Sequence, residues 1–263
     1  MDYPQPLMIE KVKELAVADA KVSAVLMYGS FIKGEADQYS DIEFYIFCRQ
    51  ALHHESWVAG IRPVRMFFRN EFGTEVAVFD NLVRGEFHFA PVEDIEVVKS
   101  WEGLTTFEYA DRMILADKDG LLAEVMSCIS KERPRHDSAD HIRWLGQSLI
   151  NNLLMTKNIV LRGEYAHAQQ CFQYVQKYLI WLIRLADGAD NHWESPAKKL
   201  ESEITRSWHE AYAACVPDLQ ADRLMESLKA AVNLGLELFK KLEPGADLND
   251  LKSLLKAVDE YPG

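Results

Sequence analysis

The chain has 263 residues, room for two domains each with its own core, and its 48% hydrophobic and 27% charged content is that of a soluble globular protein. A net charge of −12 argues against a nucleic-acid partner, because such binding draws its affinity from Lys and Arg on phosphates, and favours cationic partners instead. No apolar run approaches the roughly 20 residues of a membrane span, and Met1-Asp2-Tyr3-Pro4 lacks a signal-peptide pattern, so no membrane partner and a cytoplasmic location are expected. Cys48, Cys128, Cys171 and Cys215 are scattered, with no CxxC pair and no zinc-spaced histidines; they read as reduced, mostly buried thiols.

Taken in order, the spacing of Met8, Val12, Leu15 and Ala16 predicts a helix from about Leu7 to Ala18. Val22–Tyr28 is an apolar strand running into Gly29-Ser30, and Ser30–Gly34 opens a short helix. Asp41–Cys48 is a second strand with Ile42, Phe44 and Ile46 on its core face. Arg62–Phe68 and Glu75–Asp80 read as two more strands around a turn at Asn70–Gly73, and Gly85–Phe89 as a further strand or loop. The charged, proline-bearing stretch Lys131–Arg135 reads as a hinge.

Beyond that hinge the pattern is helix upon helix. Ser138 is the predicted N-cap of a helix through Leu145, Leu149, Leu153 and Val160, ending near Gly163. A second runs from about Tyr165 to Ala186 and stops at Gly188. A third spans about Leu219–Leu242 with Leu224, Leu228, Val232 and Leu236 on one face, and a short helix around Leu248–Val258 closes the chain. The fold class expected is therefore α+β: a mixed-sheet domain over residues 1–132, then a helical bundle over 133–263.

The chemistry concentrates in the first domain. Alternation along a strand puts Asp41 and Glu43 on one face, about 7 Å apart. Two carboxylates so placed repel each other unless a cation sits between them, and Mg²⁺ ions carrying a nucleoside triphosphate would meet that need. Gly29 lets the backbone approach a phosphate closely, and the Ser30 hydroxyl can donate to a phosphate oxygen or ligate a metal. A third carboxylate is needed to activate an attacking hydroxyl, and Glu75, Asp80 and Glu86 are the candidates. Asp80 beside Asn81 also suits a turn, whereas Glu86 stands among Phe87, His88 and Phe89, where apolar neighbours favour a general base. His88 reads as a packing or hydrogen-bonding residue.

Met27-Tyr28-Gly29-Ser30-Phe31, Lys33-Gly34-Glu35 and Asp37-Gln38-Tyr39-Ser40-Asp41-Ile42-Glu43-Phe44-Tyr45-Ile46-Phe47 closely resemble the lincosamide nucleotidyltransferases, of the DNA polymerase β-like superfamily. The resemblance runs on through Asn70-Glu71, Gly73-Thr74-Glu75-Val76, Phe79-Asp80-Asn81-Leu82 and Arg84-Gly85-Glu86-Phe87-His88-Phe89. It thins in the helical half to Arg162-Gly163-Glu164-Tyr165-Ala166, Gln176-Lys177, Leu182-Ile183-Arg184, Ala189-Asp190-Asn191 and Leu200-Glu201. Ala36 stands where the family pattern has Gly. The resemblance implies an antibiotic-resistance enzyme that transfers AMP, or another nucleoside monophosphate, from ATP or a related triphosphate to a lincomycin or clindamycin hydroxyl with Mg²⁺. It places the metal-binding acids on Asp41 and Glu43 and the catalytic base on Glu86, and it implies a homodimer. Gly29 and Ser30 would hold the phosphates, with Lys33, Lys177 and Lys198 as further possible phosphate partners. Rival readings are transfer to an aminoglycoside or a protein side chain, a nucleotide-binding antitoxin-like module, and a helical scaffold.

Overall fold

The computed structural model describes residues 3–102 and 107–261. The chain forms two compact units, Met1–Pro134 and Arg135–Gly263. The first carries α1 (Gln5–Ala18), β1 (Val22–Met27), α2 (Ser30–Lys33), β2 (Ile42–Cys48), α3 (His54–Ala59), β3 (Val64–Arg69), β4 (Glu75–Phe79), β5 (Arg84–Pro91), a 3₁₀ segment (Val92–Trp101), α4 (Ala110–Met113), β6 (Ile114–Asp117) and α5 (Leu121–Ser127). The strands form one six-stranded sheet in the order β3-β4-β5-β2-β1-β6. Strands β2 and β5 run parallel, and the other neighbours are antiparallel.

The burial pattern explains that order. Every residue of β1 is buried, as its unbroken apolar run requires of an inner strand. In β2, Ile42, Phe44 and Ile46 are inaccessible while Glu43 and Tyr45 on the opposite face are only half-buried. The edge strand β3 leaves Met66 and Phe68 exposed, with Arg65 and Arg69 among them, charges that discourage another strand from pairing there. At the turn after it, the Asn70 side-chain oxygen accepts from the Phe72 and Thr74 N–H groups at 3.1 and 2.9 Å.

The second unit is helical: α6 (Ala139–Leu161), α7 (Tyr165–Asp187), a 3₁₀ turn (Asp190–His192), α8 (Leu200–Glu203), α9 (Arg206–Ala213), α10 (Ala221–Leu242), a 3₁₀ turn (Glu243–Gly245) and α11 (Asn249–Glu260). Ser138 caps α6, its hydroxyl accepting from the His141 N–H at 3.3 Å. Helix α7 stops where Gly188 takes a left-handed φ of 68°. Leucines and phenylalanines of α6, α7, α10 and α11 make the core, and Gly146 and Gly235 let Phe239, Leu251 and Leu255 approach neighbouring helix backbones.

Within this core lies a fully buried arginine. Arg184 donates from Nε to the Pro196 carbonyl at 2.6 Å, from Nη1 to the Ala189 carbonyl at 2.6 Å and to Glu203 at 2.7 Å, and from Nη2 to the Lys198 carbonyl at 2.6 Å. Glu203 also meets His192 at 2.8 Å. Burial works against the Glu203 charge, but Arg184 and His192 outweigh it and hold the carboxyl below the ordinary range. One side chain thereby fixes the course of residues 189–203.

All four cysteines are free, but only Cys171 and Cys215 are buried; Cys48 is half-buried and Cys128, just after the short helix α5, is exposed. Burial pushes the Cys215 thiol up to about 12, and burial together with Asp19 pushes Cys48 up to about 11, so neither offers a thiolate at neutral pH. Among the described residues no helix is long and apolar enough to cross a membrane.

Candidate active site

The parallel ladder between β2 and β5 builds the site. Its register sets Ile42 beside Gly85, Glu43 beside Glu86, Phe44 beside Phe87 and Tyr45 beside His88. Phe44 and Phe87 face the core, so alternation turns Glu43, Tyr45, Glu86 and His88 to the opposite face of the sheet. Asp41 lies one residue before β2 rather than within it, so its place follows from the strand's entry and not from a ladder hydrogen bond.

Of the three candidates for the third carboxylate, it is Glu86 that stands directly across from Glu43. Glu75 is engaged elsewhere, by His54 at 2.8 Å and Arg69 at 2.9 Å, and Asp80 pairs with Arg62. Arg84, two residues before Glu86 on β5, joins the group: its guanidinium donates to Asp41 from Nη1 and to Glu86 from Nη2. The face thus carries three carboxylates and one guanidinium across two adjacent strands. Arg84, close to Glu86 in the sequence, reads as a possible structural partner for a nearby acid, and the structure gives it two, Asp41 and Glu86.

Gly29 ties the turn after β1 to the carboxylates. Its φ of +80° with ψ of −153° is a conformation that only glycine adopts readily, and a Cβ built there would stand 1.5 Å from Glu43 Oε2. The Tyr28 N–H donates to the Glu43 carbonyl at 3.1 Å, holding the turn against β2. Ser30 and Lys33 are the first and last residues of α2. Lys177 and Lys198 belong to the helical unit: the Lys177 ammonium lies 4.7 Å from the centre of the Trp181 ring, and the Lys198 carbonyl accepts from Arg184.

Gly29→Ala is expected to lose about 1–3 kcal/mol through the backbone alone. It should also displace the Glu43 carboxylate, and Glu43→Ala on top of it should relieve the overlap by about 0.5–3 kcal/mol of coupling. Denaturant titrations of the two single variants and the double variant check this; additive losses would contradict the close approach.

The electrostatics of the face are strongly negative. The Tyr28 phenol is held far above its ordinary range by burial, then by the charges of Glu43 and Glu86, with Arg84 opposing. His88 is pulled below its ordinary value by burial, against the pull of Glu86 and Glu75. It is therefore neutral at pH 7 and stacks flat on Tyr45, ring centres 4.5 Å apart and 4° from parallel. Trp101 packs on the same tyrosine at 4.9 Å. Geometry gives His88 a packing contact.

Among the described residues no three His, Cys, Asp or Glu side chains converge as a ready-made metal cage. A magnesium site does not need one, since Mg²⁺ is commonly bound through one or two carboxylates plus substrate phosphates. The donors are all hard oxygens, and Glu43 and Glu86 are like charges placed directly opposite each other, a pairing that is unfavourable without a cation. Asp41 and Glu86 share the one Arg84 guanidinium, so each carboxylate keeps an oxygen that a metal could take. The residues present fit a divalent cation.

Residues 138–261 match the model of the lincosamide nucleotidyltransferase-like C-terminal domain. That match covers a little under half of the chain, and the family it names is of nucleotidyltransferase-like proteins, the enzyme class to which Gly29-Ser30 and Asp41-x-Glu43 point. Among solved structures, an aminoglycoside 6-adenyltransferase from Bacillus subtilis aligns at 13% identity with a TM-score of 0.40, over 99% of this chain and 98% of its own. A nucleotidyltransferase-like protein from Exiguobacterium sibiricum 255-15 aligns at 13% identity with a TM-score of 0.39, over 97% and 90%. No curated protein matches the chain.

Proposed function

We propose that the chain transfers AMP from ATP, with Mg²⁺, to a hydroxyl of a lincosamide such as lincomycin or clindamycin, releasing pyrophosphate and conferring resistance. The observation that carries the proposal is the pairing of Glu43 with Glu86 on one sheet face, beside Asp41 and the Gly29-Ser30 turn. The lincosamide as acceptor rests on the family of the helical half, together with the motif resemblance of the first ninety residues. A cytoplasmic homodimer belongs to the same reading.

In this reading Asp41 and Glu43 are the metal-binding carboxylates, and a divalent cation supplies charge neutralisation for the triphosphate and its leaving group. Gly29 and Ser30 offer backbone N–H groups and a hydroxyl to the phosphates, and Lys33 adds positive charge. Glu86 accepts the proton of the acceptor hydroxyl as its oxygen bonds to the α-phosphorus; the bond from that phosphorus to the bridging oxygen breaks, and pyrophosphate leaves with the electron pair. The chain contributes alignment and electrostatic stabilisation more than covalent chemistry. An acidic surface suits acceptors that carry amines, as lincosamides and aminoglycosides do.

Incubating the protein with ATP and Mg²⁺ and, separately, lincomycin, clindamycin and kanamycin, then weighing the products by mass spectrometry, tests the acceptor. An adenylated lincosamide is expected. An adduct on kanamycin alone would move the reading to aminoglycosides, and no adduct on any of them would overturn the antibiotic role.

A further inference from the structure

Arg84 is a cation that bonds two carboxylates of this face. The ladder starts with Ile42 beside Gly85 and continues with Glu43 beside Glu86; Asp41 and Arg84 each stand one residue before its first pair and are joined by a side-chain hydrogen bond. The four side chains form a quartet at the entry to two parallel strands, with Asp41 and Arg84 ahead of the Glu43–Glu86 pair. From its corner the guanidinium forks, with Nη1 on Asp41 across the ladder and Nη2 on Glu86 along its own strand. None of the three is sealed off, with side-chain exposures of 39%, 36% and 23% for Arg84, Asp41 and Glu86. Both bonds therefore exchange with solvent and can yield to a competing cation.

We propose that Arg84 is a positioning residue that acts through Asp41 and Glu86 and sets the divalent-cation affinity of the face. Resting on the carboxylate site proposed above, this adds a constraint that the site alone does not contain. Arg84 ties the first metal carboxylate to the base while it neutralises part of their charge. A divalent cation arriving at Asp41 meets one resident positive charge a few ångströms away and must share, or displace it from, a carboxylate oxygen. The charge sets the affinity, while the planar fork, which a single-point lysine ammonium lacks, holds the two carboxylates together. Weak cation binding by the protein alone, tightening when the triphosphate brings its own negative charge, is the consequence.

The probe is Mn²⁺ alone, titrated into the purified full chain without nucleotide and followed both by electron paramagnetic resonance of free Mn²⁺ and by the thermal midpoint. Arg84→Gln is expected to bind Mn²⁺ about tenfold more tightly than the natural protein, the order set by removing one positive charge at a few ångströms in a solvated site. Its midpoint should lie below that of the natural protein without Mn²⁺ and approach it with Mn²⁺ present. Arg84→Lys, which keeps the charge, should bind Mn²⁺ about as the natural protein does. An Arg84→Gln protein with unchanged or weaker Mn²⁺ affinity overturns the inference while leaving the carboxylate site intact. Absence of Mn²⁺ binding in the natural protein and in Arg84→Gln alike overturns the carboxylate site itself, and the inference with it. Should Arg84→Gln fail to fold, Arg84→Met read in the same two ways takes its place.

Discussion

Glu86→Gln is expected to keep the fold and nucleotide binding and to lose turnover by about 10³-fold, within the range general-base removal ordinarily costs. The substitution is close to isosteric. A glutamine carbonyl can still accept from Arg84 Nη2, so the side chain should stay where β5 and the guanidinium hold it. What it cannot do is take a proton from an acceptor hydroxyl. Removing the charge also relieves the like-charge pairing with Glu43, so stability should not fall. The measurement is turnover at saturating ATP alongside ATP affinity by calorimetry. A Glu86→Gln protein within tenfold of the natural rate would remove Glu86 from the base role. The alternatives would then be poorly placed, because Asp80 is held by Arg62 and Glu75 by His54 and Arg69.

Arg184→Met should destabilise the helical half by about 3–5 kcal/mol, the usual result of removing one member of a buried ion pair. The guanidinium is fully buried and bonds three carbonyls and one carboxylate. Methionine matches much of its length but offers no donor, leaving the Ala189, Pro196 and Lys198 carbonyls and the Glu203 carboxylate short of partners. A loss of this size lowers the thermal midpoint of a unit of this length by roughly 10–20 °C. The same network predicts a pH dependence. Because the Glu203 pKa is depressed in the folded protein, its contribution is full above the ordinary glutamate value of about 4.3 and fades as pH falls through the lower folded value. Thermal melts of both proteins between pH 7 and pH 3 check both points: the natural protein should lose this increment on acidification and Arg184→Met should not. A midpoint change below about 2 °C at pH 7 would contradict the network's importance.

Much of this architecture was legible in the chain. The 3.6-residue periodicity marked α1, α6, α7, α10 and α11, and cap and stop residues such as Ser138 and Gly188 marked their ends. Alternation along Asp41–Cys48 placed Ile42, Phe44 and Ile46 in the core, where they lie. Most elements left unread were short: α3, α4, α5, α8, α9 and β6 run from four to eight residues, too few for a period to stand above chance, and the 3₁₀ segment Val92–Trp101 lacks the 3.6-residue period altogether. The site was legible in its residue types and only partly in its assembly. Which strand lies beside β2 is a long-range fact, and the parallel partnership with β5, which opposes Glu43 to Glu86, has no local signature. The Arg84 fork depends on the same pairing. The buried role of Arg184 could not be read either, since a charged residue in α7 looks like an exposed one until the segment after Gly188 folds back over it.

The central claim is that the face made by Asp41, Glu43 and Glu86 carries out nucleotidyl transfer. Its most direct test measures pyrophosphate release and adenylated lincomycin together, with ATP and Mg²⁺, for the natural protein and for Asp41→Asn. Equimolar pyrophosphate and adduct from the natural protein, and neither from Asp41→Asn, is the predicted result. Transfer by Asp41→Asn at the natural rate would contradict it, because the chemistry would then reside elsewhere in the chain.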